Sequence, residues 1–165
     1  MTAASTQLKR PLWQTLVMLT LGFWLSGSLI LEWVIMPSLY LSGMMTQAGF
    51  ATAGYLIFWN FNRIELLSAA VVLTGVLVLV STNFAATNWR RGAVVLSLLL
   101  LAVSLIDTYF LTPQMCATGL QLNLFESVAE IPATMNQLHA GYWLLEAVKL
   151  VAGGTLIGWC WQHQG

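Results

Sequence analysis

The stretch from about Leu138 to Trp161 is apolar and long enough to cross a bilayer, yet it carries His139, Glu146 and Lys149. Hydrocarbon tolerates almost no ionisable side chains, so one face of this helix must turn toward other protein. At 100° per residue, Trp143 and Glu146 fall within roughly 40° of His139 on the helix surface. Lys149 lies three residues beyond Glu146, where the two side chains can touch. The rest of the chain has to accommodate that face.

The remaining residues are of the same kind. Hydrophobic residues make up 58% of the 165, charged residues 7%, and the mean hydropathy is +0.78. Soluble domains carry ~25% charged residues, so a soluble fold is excluded. The length accommodates about four spans with short loops and no separate soluble domain. Six basic and six acidic residues cancel, leaving no field to attract nucleic acid. Cys116 and Cys160 fall near opposite ends of different spans, which argues against a disulfide between them.

In chain order, residues 1–11 read as a polar cytoplasmic tail with Lys9 and Arg10, and residues 12–165 as a single four-helix transmembrane domain. The first apolar run, Leu12 to Met36, is about twice the length of a signal-peptide core and lacks a small-residue cleavage site, so it reads as a retained span closed by Pro37. Ser38 to Tyr55, with three glycines and no charge, reads as a re-entrant or interfacial connection. A second span, Leu56 to Val80, opens on Asn60, Asn62, Arg63 and Glu65. The third, Ala93 to Thr112, contains Ser97, Ser104, Asp107 and Tyr109 and is closed by Pro113. Between spans three and four, Leu120, Leu124, Phe125, Val128 and Ile131 alternate with Gln121, Asn123, Glu126 and Glu130, which predicts an amphipathic surface helix. Trp159, Trp161 and His163 mark the exit of the fourth span. Lys9, Arg10, Arg90 and Arg91 all lie on one side, so the positive-inside rule puts both termini in the cytoplasm.

Counting 1.5 Å per residue from the non-cytoplasmic ends, Glu32, Arg63, Glu65, Asp107, Glu146 and Lys149 all lie roughly 6 to 15 Å deep, with His139 at the rim. Each such residue costs at least ~2.5–3.5 kcal/mol at mid-membrane, so they are expected to share one polar layer in the outer half of the bilayer. Four acids against two bases leave two negative charges, to be quenched by protons or by a bound cation. His139, if charged, removes one. Met36, Met44, Met45, Met115, Cys116, Met135 and His139 fall on the same side, and thioether, thiolate and imidazole suit reduced copper or haem iron. The metal candidates are therefore His139, Glu146, Met115, Cys116 and Met135, although no paired His, Cys or Met ligand spacing is present.

Structural readings stand beside these. The charges can serve as interhelical salt bridges, Arg63 with Glu32 or Glu65 and Lys149 with Glu146 or Asp107. The methionines can be apolar filling, and His139 can cap a helix end or bond Trp143. No Ser/His/Asp set, phosphate loop or zinc spacing is present, so no catalytic residue is assigned. Glu32 before Pro37 and Asp107 before Pro113, with Glu65 and Glu146 on the following spans, form a faint internal echo. It fits a helical hairpin used twice in parallel, and chance supplies two such short matches as well.

Gly22-Phe23-Trp24-Leu25-Ser26-Gly27, Pro37-Ser38-Leu39, Ala48-Gly49, Asn62-Arg63-Ile64-Glu65, Tyr109 with Pro113, and His139 with Tyr142, Glu146 and Lys149 resemble the transmembrane protein 205-like family. Its bacterial members are membrane proteins carrying a domain of unknown function. The resemblance runs from Trp13 to about Lys149 and implies a four-helix protein of a bacterial inner or internal membrane. More distantly the chain is similar to copper-resistance membrane proteins of the D type and to the four-helix, haem-carrying protoporphyrinogen oxidase, whose further intramembrane histidines it lacks. The expected function is binding, or transport, of a cation, metal or small ligand in the outer polar layer. The alternatives are an accessory or assembly subunit of a larger membrane complex and a haem-binding oxidoreductase.

Overall fold

The computed structural model describes residues 2–44, 49–81, 87–117 and 133–162. Among them the chain is all-α, with four helices long and apolar enough to cross a membrane. Helix α1 begins at Thr2 (Thr2–Leu29), widens into a π-helical stretch over Ile30–Ile35, and continues as α-helix over Met36–Leu41. Helix α2 is Phe50–Ser81. Helix α3 is Thr87–Ile106, followed by a π-helical stretch over Asp107–Leu111 and α-helix through residue 117. Helix α4 is Ala133–Gln162. The surface helix expected around Leu120 to Ile131 lies outside the described residues.

Two expectations about helix ends are corrected. Pro37 and Pro113 do not close their spans. A proline inside an α-helix lacks an N–H and crowds the carbonyl four residues back. Here the preceding turn is a π turn, in which Met36 N–H reaches Leu31 O and Thr112 N–H reaches Asp107 O. The wider turn takes up the proline without breaking the helix. α1 then ends at Leu41, where Gly43 adopts φ +71° and its N–H bonds Tyr40 O at 3.1 Å. Only glycine takes that left-handed conformation without cost. The polar tail before Leu12 is likewise helical from Thr2.

The aromatic residues mark the thickness of the bundle. Trp13, Trp89, Trp159 and Trp161 lie at one end, and Trp33, Trp59, Tyr109 and Trp143 at the other. Trp13 to Trp33 and Trp89 to Tyr109 each span about 30 Å of helix, and Trp143 to Trp161 about 27 Å. That matches the ~30 Å hydrocarbon layer between two interfacial aromatic belts. Between the belts Leu19, Phe23, Leu67, Val95 and Val151 are exposed, as a lipid-facing surface requires. The chain is an integral membrane bundle.

The helices pack in a ring, α1 on α2, α2 on α3, α3 on α4 and α4 on α1. The buried positions repeat within it. Val17, Leu21, Trp24, Ser28, Leu31 and Glu32 of α1 are buried, and so are the residues 76 positions further on in α3: Ala93, Ser97, Leu100, Ser104, Asp107 and Thr108. In the same way Asn62, Glu65, Ser68, Ala69, Val72 and Val76 of α2 answer, 84 positions on, to Glu146, Lys149, Ala152, Gly153, Leu156 and Cys160 of α4. Ser28-Leu29-Ile30 before Pro37 recurs as Ser104-Leu105-Ile106 before Pro113. The bundle is therefore two parallel helical hairpins with the same buried faces. The prolines that suggested the echo coincide, whereas the acids do not: Glu32 answers to Thr108, Asp107 to Leu31, Glu65 to Lys149 and Glu146 to Asn62.

At the Trp13 end the interior is dry: Val17, Leu21, Val72, Val76, Ala93, Leu156 and Cys160 form one core. Small residues let the backbones approach there. A Cβ on Gly75 would lie 2.4 Å from Val17 Cγ2, and Val17 is fully buried. Gly75→Ala is expected to lower stability by about 1–3 kcal/mol through overpacking. Unfolding in detergent checks this against Gly154→Ala, where a Cβ would meet nothing within 4 Å.

Candidate polar site

The interior at the Trp33 end is polar. Glu32, Glu65, Asp107, Glu146 and Lys149 are each 1–2% exposed. Glu65 is the hub. Its Oε1 accepts from Trp24 Nε1–H at 2.9 Å and from the Ser28 hydroxyl at 3.0 Å, and it pairs with the Lys149 ammonium. Lys149 also pairs with Glu146, one turn earlier on its own helix. Glu32 accepts the Tyr142 hydroxyl at 2.6 Å. Asn62 Nδ2 donates to Thr112 Oγ1 at 2.7 Å.

Helical geometry explains the convergence. Trp24, Ser28 and Glu32 recur every four residues along α1, and Tyr142, Glu146 and Lys149 at intervals of four and three along α4, so each set forms one stripe. The π turns add to this: Leu31 with Glu32, and Asp107 with Thr108, are adjacent residues that are both buried. All the acids stand between the Trp33 belt and about 9 Å beneath it. Glu65 and Lys149 occupy corresponding positions of the two hairpins and meet across the centre of the bundle. Phe58 and Tyr142, which also correspond, meet edge to face at 6.0 Å.

Among the described residues both carboxylate oxygens of Asp107 have no hydrogen-bond partner, while the Glu32 and Glu146 carboxyls lie within hydrogen-bonding reach of each other. The hydroxyls next to Asp107 are committed elsewhere. Thr108 donates to Ser104 O at 2.7 Å and Ser104 to Leu100 O at 3.0 Å. Asp107 is within electrostatic reach of Lys149, Glu65 and Glu146.

The structure redraws the expected layer. Glu32, Glu65, Asp107, Glu146 and Lys149 are brought together, but Arg63 is not among them. It is exposed on the outside of α2, with its guanidinium 4.2 Å from the centroid of the Trp59 ring. This follows from its position: Asn62 and Glu65 take the inward stripe, and Arg63 lies 100° away from Asn62. The expected pairing of Arg63 with Glu32 or Glu65 is therefore replaced by Lys149 with Glu65. Four carboxyl groups now face one ammonium, three short of neutrality rather than two. In a low-dielectric interior that excess must be met by protons or by a cation.

His139 is exposed near the start of α4, and Trp143 packs on Trp33 at 5.6 Å. Met115 and Cys116 are half-buried beyond Pro113, and the Met135 side chain lies outside the described residues. Among the described residues no group of three His, Cys, Asp or Glu side chains could hold a metal ion, so the soft-metal set does not assemble there and the carboxyl cluster does not converge on one multidentate metal site. Trp24, Ser28 and Tyr142 are contacts of the site that the residue-by-residue reading did not assign. The four-residue spacing of Trp24, Ser28 and Glu32 was the available signal. No protein family model, curated protein or solved structure matches this chain.

Proposed function

We propose that the protein is a cation-binding membrane protein whose site is the carboxyl cluster around Lys149. The observation that carries this reading is the charge balance: four buried carboxyl groups against one buried ammonium, with both Asp107 oxygens unpartnered. A structural ion pair would need one acid for Lys149, not four. With Arg90 and Arg91 beyond the Trp13 belt and Lys9 and Arg10 on the same side, the positive-inside rule turns the site toward the non-cytoplasmic face. The dry core beneath it closes the way to the other face, which favours binding over open passage.

Calorimetric titration of the detergent-purified protein with chloride salts of monovalent and divalent cations tests the reading. The wild type is expected to show saturable uptake, weakened about tenfold or more in Glu146→Gln through loss of a charged partner. Absence of saturable binding of every cation would leave protons as the compensating charge and refute the reading.

A further inference from the structure

The two hairpins carry unequal halves of one site. Each puts a buried acid into its π-helical stretch, Glu32 in the first and Asp107 in the second, one position apart in register. α4 packs on α1 as α2 packs on α3, so the partner helix of Glu32 corresponds to that of Asp107. On α4 the residue at the level of the acid is Tyr142, whose hydroxyl bonds Glu32 at 2.6 Å. The corresponding residue of α2 is Phe58, followed by Trp59 as Tyr142 is followed by Trp143. Phenylalanine has no hydroxyl to give. Asp107 is 1% exposed, and neither of its oxygens has a partner. The duplicated architecture thus gives one acid a hydroxyl from within the chain and gives the other none.

We propose that Asp107 is the ligand-taking half of this duplicated site, accepting a small monovalent cation where Glu32 accepts the Tyr142 hydroxyl. The proposal rests on the cation-binding reading above and narrows it to one residue and one ligand class. The small size follows from the close packing around Asp107, which is 1% exposed. The single charge follows from the charge count. A divalent ion is usually held by several carboxylates, whereas Glu65 and Glu146 are already engaged by Lys149. Ammonium would satisfy Asp107 as a hydrogen-bond donor, and sodium or potassium by coordination.

The full chain, purified in detergent, is titrated with sodium, potassium and ammonium chloride against choline chloride at constant ionic strength, followed by calorimetry and thermal midpoint. The wild type is expected to bind one equivalent; response to ammonium alone assigns donation, and response to sodium or potassium assigns coordination. Asp107→Asn is expected to weaken binding about tenfold or more. Phe58→Tyr, which supplies the missing hydroxyl, is expected to do the same while raising the midpoint measured in choline. Tyr142→Phe, which takes the hydroxyl from Glu32, is expected to bind a second equivalent. Wild-type binding that persists unchanged in both Asp107→Asn and Phe58→Tyr overturns this proposal and leaves the broader reading standing. No binding by the wild type overturns both. If Phe58→Tyr fails to fold, the near-isosteric Asp107→Asn decides alone.

Discussion

Lys149→Met is expected to destabilise the bundle by about 3–5 kcal/mol, the cost of leaving a buried charge without its partner. Lys149 is the only buried cation among the described residues, and it engages Glu65 from α2 and Glu146 from its own helix. Methionine is only one atom shorter than lysine and removes the charge, so the loss is mainly electrostatic and not a cavity. The double variant Lys149→Met/Glu65→Gln should recover part of the loss, because it also removes one of the stranded carboxylates. Equilibrium unfolding in mixed micelles measures both. A Lys149→Met protein within 1 kcal/mol of wild type would mean that the ammonium does not organise the cluster.

Trp24→Ala is expected to cost a similar amount, about 3–5 kcal/mol, by opening a large cavity. Trp24 is 1% exposed and lies where the dry core meets the polar cluster, with its ring packed in the core and its indole N–H on Glu65. Trp24→Phe separates the two contributions. It keeps most of the packing and removes one hydrogen bond to a buried carboxylate, for about 1–3 kcal/mol. If the two variants lose equally, the hydrogen bond outweighs the packing. If Trp24→Phe loses nothing, Glu65 is held by Ser28 and Lys149 alone.

Four apolar runs of bilayer length make the all-α membrane bundle legible along the chain. Their ionisable residues, counted by depth, predicted a polar layer that the structure finds in Glu32, Glu65, Asp107, Glu146 and Lys149. Depth is a property of one helix, at 1.5 Å per residue, so it can be read along the chain. Azimuth is not so simple. Arg63 shares the depth of the cluster and points away from it, because its neighbours Asn62 and Glu65 fall on the inward stripe and a helix surface has room for only one. The prolines misled for a related reason. Pro37 and Pro113 are breakers in an α-helix, and nothing local announces that the preceding turn widens to accept them.

The residues by themselves determined that this chain enters a membrane as four helices and which of its charged side chains lie toward one face of it. Both follow from hydrophobic length and axial rise, which are local quantities. Only the tertiary structure decided which groups meet: Lys149 with Glu65 across the bundle, Tyr142 with Glu32, and Asp107 with no hydrogen-bond partner among the described residues. Those pairings depend on how two similar hairpins are rotated against each other, and on a tyrosine in one standing where the other has a phenylalanine.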